Sequence, residues 1–233
     1  VWANQGIALA SLGKREEAIA SYDKALQISS DSYEVWIVRG YALGELGRKE
    51  EAIASFDKAL QINSKAHYAW FMRGVALGDL GRYDEEISSY DKVLQIEPNF
   101  YDAWSNRGIA LANLGRYEEM LKSLDRMLQI KPNDHDAWNN RGFALANLGR
   151  YGEMLESFDR ALQINPEDDN TWNNRGVALA KFGKYEEAIA SFDKALQINP
   201  DDPSPLYNKA RAFTLQGKIE PAIENLQQAI QLS

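Results

Sequence analysis

The side chains that could carry out chemistry here are few, and their spacing narrows what that chemistry can be. The 233-residue chain has no Cys, which excludes disulfides, thiolate zinc sites, iron–sulfur clusters and cysteine nucleophiles together. A metal centre or a Ser-His-Asp arrangement would have to be built around one of only two imidazoles, His67 and His135. Gly6 to Gly13-Lys14 has some letters of a phosphate loop, but its glycines are too far apart and no Ser or Thr follows Lys14. The acidic runs at Asp134 and Asp136, at Glu167-Asp168-Asp169 and at Asp201-Asp202 could attract a cation. They read better as helix caps and first turns, where Asp meets unpaired N–H groups and the helix dipole. The expectation is a chain that is not an enzyme and holds neither metal nor cofactor.

What the chain has instead is amides in rows. Asn106, Asn140, Asn174 and Asn208 follow one another at intervals of 34 residues, with Asn139, Asn173, Asn113 and Asn147 nearby. An asparagine amide offers one acceptor and two donors, so it can hold the backbone of an extended peptide without reading its side chains. Earlier in the chain the same place is apolar, Val38 and then Met72, among Ile37, Tyr41, Tyr68, Phe71 and Val75. A contiguous exposed apolar patch marks a binding surface more often than scattered apolar residues do.

The elements that position these residues follow from the period. Trp2, Trp36, Trp70, Trp104, Trp138 and Trp172 are each 34 residues apart, and Gly6, Gly40, Gly74, Gly108, Gly142 and Gly176 keep the same step. So does the series Gly13 to Gly217, while Pro98, Pro132, Pro166 and Pro200 close four consecutive units. Within one unit, Trp138, Gly142 and Leu145 lie on one helical face, Leu148-Gly149-Arg150 interrupts it, and Leu155, Phe158, Ala161 and Leu162 form the apolar stripe of a second helix. Gly149 supplies the positive backbone torsion of a tight helix end, and Pro166 cannot continue the helix before it. Gly142 is expected to face a small residue on the second helix, with Trp filling the volume beside it. A single hairpin cannot bury both faces, so such units must stack on one another. At about 100° per residue, the places two before Trp and two, five and nine after it lie opposite Trp, outside the hairpin core.

Trp, then Gly four residues on, small and aromatic residues on a second helix and a closing Pro, repeated every 34 residues, resemble the tetratricopeptide repeat over the whole chain. With Trp in its usual fourth place the units run 1–32, 33–66, 67–100, 101–134, 135–168, 169–202 and 203–233, within a single solenoid domain 1–233. The resemblance implies an all-α fold, a right-handed α-solenoid of seven helix–turn–helix units whose first helices line a concave groove. It also implies a peptide-binding groove formed by Ile37, Val38, Tyr41, Tyr68, Phe71, Met72, Val75, Asn106, Asn139, Asn140, Asn173, Asn174 and Asn208. The asparagine row is similar to the asparagine ladder of the tetratricopeptide superhelices in O-linked N-acetylglucosamine transferases, with Asn4 in the ladder place and Val38 and Met72 interrupting it. The first-helix places of the carboxylate clamp used for chaperone tails hold Ala3, Ile37, Phe71, Ser105, Asn139 and Asn173, with mostly apolar residues at the following place, so the clamp is absent and a free C-terminal carboxylate is not the expected ligand.

Two departures from the repeat pattern carry expectations of their own. The usual Ala becomes Glu86, Met120 and Met154, and a second small place becomes Val93 and Met127. Met fills irregular gaps, and Glu86 is expected to reach solvent along its own stem. Three residues after Trp stand Arg39, Arg73, Arg107, Arg141, Arg175 and, in unit seven, Lys209, while the second helices carry Asp23, Asp57, Asp91, Asp125, Asp159 and Asp193. Pairing each Asp with the cation of the following unit leaves no orphan, which predicts an inter-repeat ion-pair ladder.

Charge and hydropathy bound the partners. A net charge of -8 and a pI of about 4.9 argue against nucleic acid and anionic membranes. Glu34, Glu45, Asp79, Asp102 and Asp136 bias the early and middle groove toward a neutral or basic segment. No apolar run is long enough to span a bilayer and no signal peptide is visible, so the expected location is the cytoplasm. Val1 is not an initiator Met, which is consistent with a piece of something longer. Unit seven is atypical, with Leu206 for Trp and Ala210 for Gly, as terminal repeats often are. The expected function is a non-catalytic interaction scaffold binding an extended peptide in its groove. The alternatives are a self-associating module, a homo-oligomer through the solenoid ends, and a regulatory arm of a larger protein.

Overall fold

The computed structural model describes residues 1–233, which form fourteen α-helices and no strand. Their contacts divide the chain into two compact units, Val1–Arg116 and Tyr117–Ser233. The first holds α1 (Trp2–Ser11), α2 (Arg15–Ile28), α3 (Tyr33–Glu45), α4 (Lys49–Ile62), α5 (His67–Asp79), α6 (Tyr83–Ile96) and α7 (Tyr101–Asn113). The second holds α8 (Tyr117–Ile130), α9 (His135–Asn147), α10 (Tyr151–Ile164), α11 (Asp169–Lys181), α12 (Tyr185–Ile198), α13 (Pro203–Leu215) and α14 (Ile219–Leu232). Short and long helices alternate as seven helix–turn–helix units in tandem, the α-solenoid arrangement. No helix is long and apolar enough to cross a membrane.

Each turn is built alike. In the turn after α9, Gly149 has a φ of 74°, Leu148 N–H donates to the Ala144 carbonyl at 3.1 Å and Arg150 N–H to the Leu145 carbonyl at 3.0 Å. Those bonds satisfy carbonyls that the helix end would otherwise leave open. At the helix starts the acidic residues act as expected in two places. Asp134 accepts from the Ala137 N–H and Asp202 from the Ser204 N–H. Asp168 instead accepts from the Thr171 hydroxyl.

The hairpin interior corrects one expectation. Gly142 faces the Phe158 ring rather than a small residue, and a methyl group at its Cα would lie 2.7 Å from that ring. Gly6, Gly40, Gly74 and Gly176 meet Tyr22, Phe56, Tyr90 and Phe192 in the same way. Gly is there because the aromatic ring occupies the space of its missing side chain. Trp36, Trp70 and Trp104 are partly buried and pack against the core from its rim. The Trp indole N–H donates to the carbonyl six residues earlier, as in Trp36 to Ser30 at 3.0 Å and Trp138 to Pro132 at 2.9 Å. That bond ties the first helix to the segment arriving from the previous repeat.

The ion-pair ladder has the expected register. Arg39 Nε meets Asp23 at 2.7 Å, Arg73 meets Asp57 at 2.7 Å and Arg107 meets Asp91 at 2.7 Å in the first unit. In the second, Arg141 meets Asp125 at 2.8 Å, Arg175 meets Asp159 at 3.1 Å and Lys209 meets Asp193 at 2.6 Å. The arginines do more than pair. Arg39, Arg73, Arg141 and Arg175 each donate from Nη1 to a serine of their own unit, Ser55, Ser89, Ser157 and Ser191. Each guanidinium also lies over its own Trp, 5.7 Å for Trp36 and 5.9 Å for Trp70. One side chain therefore joins the previous repeat to both helices of its own.

The methionines of the departing units are core fillers. Met120, Met127 and Met154 are all buried. Glu86 departs from expectation. It is only 7% exposed, because α5 presents Gly78 opposite it and any side chain there would lie 2.8 Å from its carboxyl. The stem is held in the core and cannot carry the head out to solvent.

Candidate functional site

The first-helix face opposite Trp is outward in both units, as the helical angles require. In the first unit Tyr41 and Tyr68 are 46% and 47% exposed, and Ile109 lies on the same stripe of α7. Val38, Met72 and Val75 are half-buried between them. Ile37 and Phe71 are half-buried as well. Ile37 packs on the core that joins α4 to α5, and Phe71 sits between Tyr90 at 5.7 Å and Phe100 at 5.2 Å. Phe71 also stacks on Tyr68 at 6.5 Å, so it supports the exposed tyrosine from behind.

The acidic bias of this face is smaller than the sequence implies. Glu45 is paired with Arg15 at 3.1 Å and Asp79 with Lys49, both across adjacent repeats. Glu34 accepts from the Ser32 hydroxyl. Asp102 remains exposed on α7.

Asn106 belongs to this first unit and is not a free amide. Its side chain donates to the Tyr90 hydroxyl, which in turn donates to the Glu86 carboxylate. Burial, countered in part by that hydroxyl, pushes the Glu86 carboxyl up to about 7. Burial and the neighbouring Glu86 push Tyr90 upward as well. Glu86, Tyr90 and Asn106 line one cleft of about 260 Å³ with Val75, Asp79 and Ile109. Glu86 and Tyr90 are the site residues that sequence reasoning missed. The visible signal was an acid where other units carry Ala or Met, but its burial depends on Gly78 across the hairpin.

In the second unit the asparagines are bonded in pairs along the stack. Asn174 Nδ2 donates to Asn139 Oδ1 at 3.4 Å, and Asn208 Nδ2 donates to Asn173 Oδ1 at 3.0 Å. Each rung thus joins the place one after Trp in one repeat to the place two after Trp in the next. The pairing uses one donor of Asn174 and one of Asn208 and leaves each side-chain carbonyl oxygen open to a ligand. Asn140 is exposed on α9, with Phe143 at 44% and Val177 at 41% exposure on the adjoining stripe. Asn147 is engaged with the Phe143 carbonyl and with Lys181. The arrangement can hydrogen-bond and bury an extended chain. No cluster of three or more metal-ligating side chains is assembled.

The repeat architecture has clear relatives. Sequence profiles described as tetratricopeptide repeat match residues 3–67 and 38–99, 89–122, 116–170, 170–202 and 203–233. No curated protein matches the chain. Among solved structures, YrrB, described as a tetratricopeptide repeat protein with an unusual peptide-binding site, is 28% identical. The match covers 81% of this chain and 97% of that one with a TM-score of 0.72. A tetratricopeptide repeat protein from Parabacteroides merdae is 18% identical over 100% of this chain and 92% of its own, with a TM-score of 0.69. MamA from Desulfovibrio magneticus is 21% identical over 72% and 95%, with a TM-score of 0.66, so these last two are likenesses of fold. From the 34-residue period, the glycine-backed hairpins and profile matches running from end to end, the chain belongs to the tetratricopeptide repeat family.

Proposed function

We propose that this protein is a non-catalytic interaction scaffold that binds extended peptide segments of a partner on the outward faces of its first helices. The observation that carries this reading is the composition of that face. Tyr41, Tyr68, Ile109, Phe143 and Val177 all stand more than 40% exposed at first-helix places opposite Trp. Exposed aromatic and aliphatic groups beside paired amides suit a ligand that presents both backbone and side chains. The peptide-binding description of YrrB, the relative at 28% identity, supports the same assignment. The thirteen groove residues named from the sequence divide into two roles. Tyr41, Tyr68, Val38, Met72 and Val75 offer apolar contact, with Ile37 and Phe71 backing them. Asn139, Asn140, Asn173, Asn174 and Asn208 hold the peptide backbone, while Asn106 of the first unit, its amide given to Tyr90, offers only its carbonyl oxygen.

The test is capture of extended peptides on an array by the wild-type chain and by a variant carrying Asn140→Ala, Asn174→Ala and Asn208→Ala, with circular dichroism confirming equal folding. Loss of capture across unrelated peptides supports a backbone-reading surface. Equal capture by both proteins refutes it.

A second reading rests on α14. Ile219, Ile223, Leu226 and Ile230 are each at least 40% exposed along its outward face. Such a face suits stacking on another helical repeat, so self-association is the alternative. A mass that rises with protein concentration and falls on Ile223→Glu supports it; a constant monomer mass refutes it.

A further inference from the structure

The cleft around Glu86 has features that a hydrophobic repeat core does not call for. At this place the other repeats carry Ala18, Ala52, Met120, Met154, Ala188 and Ala222, all buried. An acid there must be desolvated, which is costly without a partner of opposite charge. The fold nevertheless accommodates it in three ways. Gly78 clears the space for its head, Tyr90 gives it a hydroxyl at a place held by Tyr22, Phe56, Leu124, Phe158 and Phe192 in other repeats, and Asn106 fixes that hydroxyl from the next repeat. No cation of the protein pairs with it, since Lys49, the nearby ammonium, is engaged by Asp79.

The cleft is also shaped for one kind of group. Its walls include Val75 and Ile109, while Glu86, Asp79 and Asn106 place acceptors along the same lining. The Asn106 amide donates to Tyr90, so its carbonyl oxygen is turned away from that hydroxyl. Apolar walls with clustered acceptors match a side chain that has an aliphatic stem and a cationic head. We propose that this cleft is where a bound peptide inserts a lysine or arginine side chain, its charged head meeting Glu86 and its stem lying against Val75 and Ile109. This rests on the peptide-binding reading above and adds to it a position at which the partner must be basic.

A chemical signature follows. Burial leaves the free Glu86 carboxyl near 7, so a cation that favours its charged form releases a proton on binding at neutral pH. The titratable groups around it are Asp79 of α5 with Lys49 of α4, and Tyr83 and Tyr90 of α6; α7 contributes the uncharged Asn106 and Asn113.

The experiment uses the full chain and array peptides that differ at a single place, occupied by Lys, Arg, norleucine or Glu. Wild type should bind the Lys or Arg form about tenfold more tightly than the norleucine form. Glu86→Gln and Glu86→Met should lose that preference, with circular dichroism confirming that both fold as wild type does. Met is already native at the same place in two other repeats, so the second variant keeps the core filled. Calorimetry in two buffers of different ionisation enthalpy should show proton release with the Lys peptide for wild type and none for Glu86→Gln. A cation preference that survives both substitutions, or wild-type binding without proton release, overturns the pocket. Peptides bound without any preference for Lys or Arg overturn the pocket alone, and no peptide bound by any of the proteins overturns the groove reading with it.

Discussion

Replacing Glu86 by Gln should stabilise the protein in a way that depends on pH, and the size of the effect follows from the burial of one carboxyl. An ordinary glutamate titrates at 4.5, whereas Glu86 is held near 7 by desolvation on the core side of α6. That difference corresponds to about 3 kcal/mol of preference for the neutral acid in the folded state. Below about pH 4.5 the acid is neutral in both folded and unfolded chains and costs nothing extra. Between 4.5 and 7 the unfolded chain gives up its proton while the folded one keeps it, so stability falls as pH rises. Above 7 the full penalty is present. Gln is uncharged throughout and can still accept from the Tyr90 hydroxyl. The variant should therefore match wild type at pH 4 and exceed it by up to about 3 kcal/mol at pH 8. Urea unfolding followed by circular dichroism across that range measures the difference, in which the contributions of all other acids cancel. A difference that does not change with pH, or a variant less stable than wild type at pH 8, would refute the burial argument.

Four further outcomes are expected. Gly142→Ala should cost about 1 to 3 kcal/mol, because the new methyl group meets the Phe158 ring at 2.7 Å. Gly152→Ala, with no heavy atom within 4 Å of the new group, should be neutral or stabilising by up to about 1 kcal/mol, and denaturant melts separate the two. A double-mutant cycle on Asp57→Asn and Arg73→Gln should give a coupling of about 1 kcal/mol, while Arg73→Gln alone costs more than Asp57→Asn because it also releases Ser89 and Trp70. Tyr90→Phe removes the hydroxyl that opposes the burial of Glu86, so the carboxyl should titrate higher still, as read by carbon NMR of the labelled side chain.

Much of the fold was legible because a strict period makes each unit a replicate of the others. Trp and Gly at fixed intervals locate the first helices, and the two unpartnered places at the ends, Gln5 and Gln227, were enough to settle the register of the Asp–Arg ladder. The serine ligands of the arginines were equally periodic, two residues before each Asp, but a hydroxyl at a helix position has no polarity signal of its own. What could not be read was anything that depends on which residue lies across a hairpin. Gly142 faces an aromatic ring, and Glu86 is enclosed because Gly78 is opposite; neither spacing appears in a single helix. At the site, the exposure of Tyr41 and Tyr68 followed from helical angles alone. The partial burial of Phe71 did not, since Phe100, at the end of the same repeat and just before α7, covers it. The Asn174–Asn139 and Asn208–Asn173 rungs likewise needed the stacking distance between repeats.

The central claim is that the first-helix faces are the binding surface. It is tested most directly by titrating the isotopically labelled protein with array-selected peptide and following the side-chain amide signals of Asn140, Asn173, Asn174 and Asn208 with the ring signals of Tyr41 and Tyr68. Saturable shifts are expected at these groups, with little change along the outward face of α14. Shifts confined to Ile219, Ile223 and Ile230, with the asparagine and tyrosine signals unmoved, would contradict it.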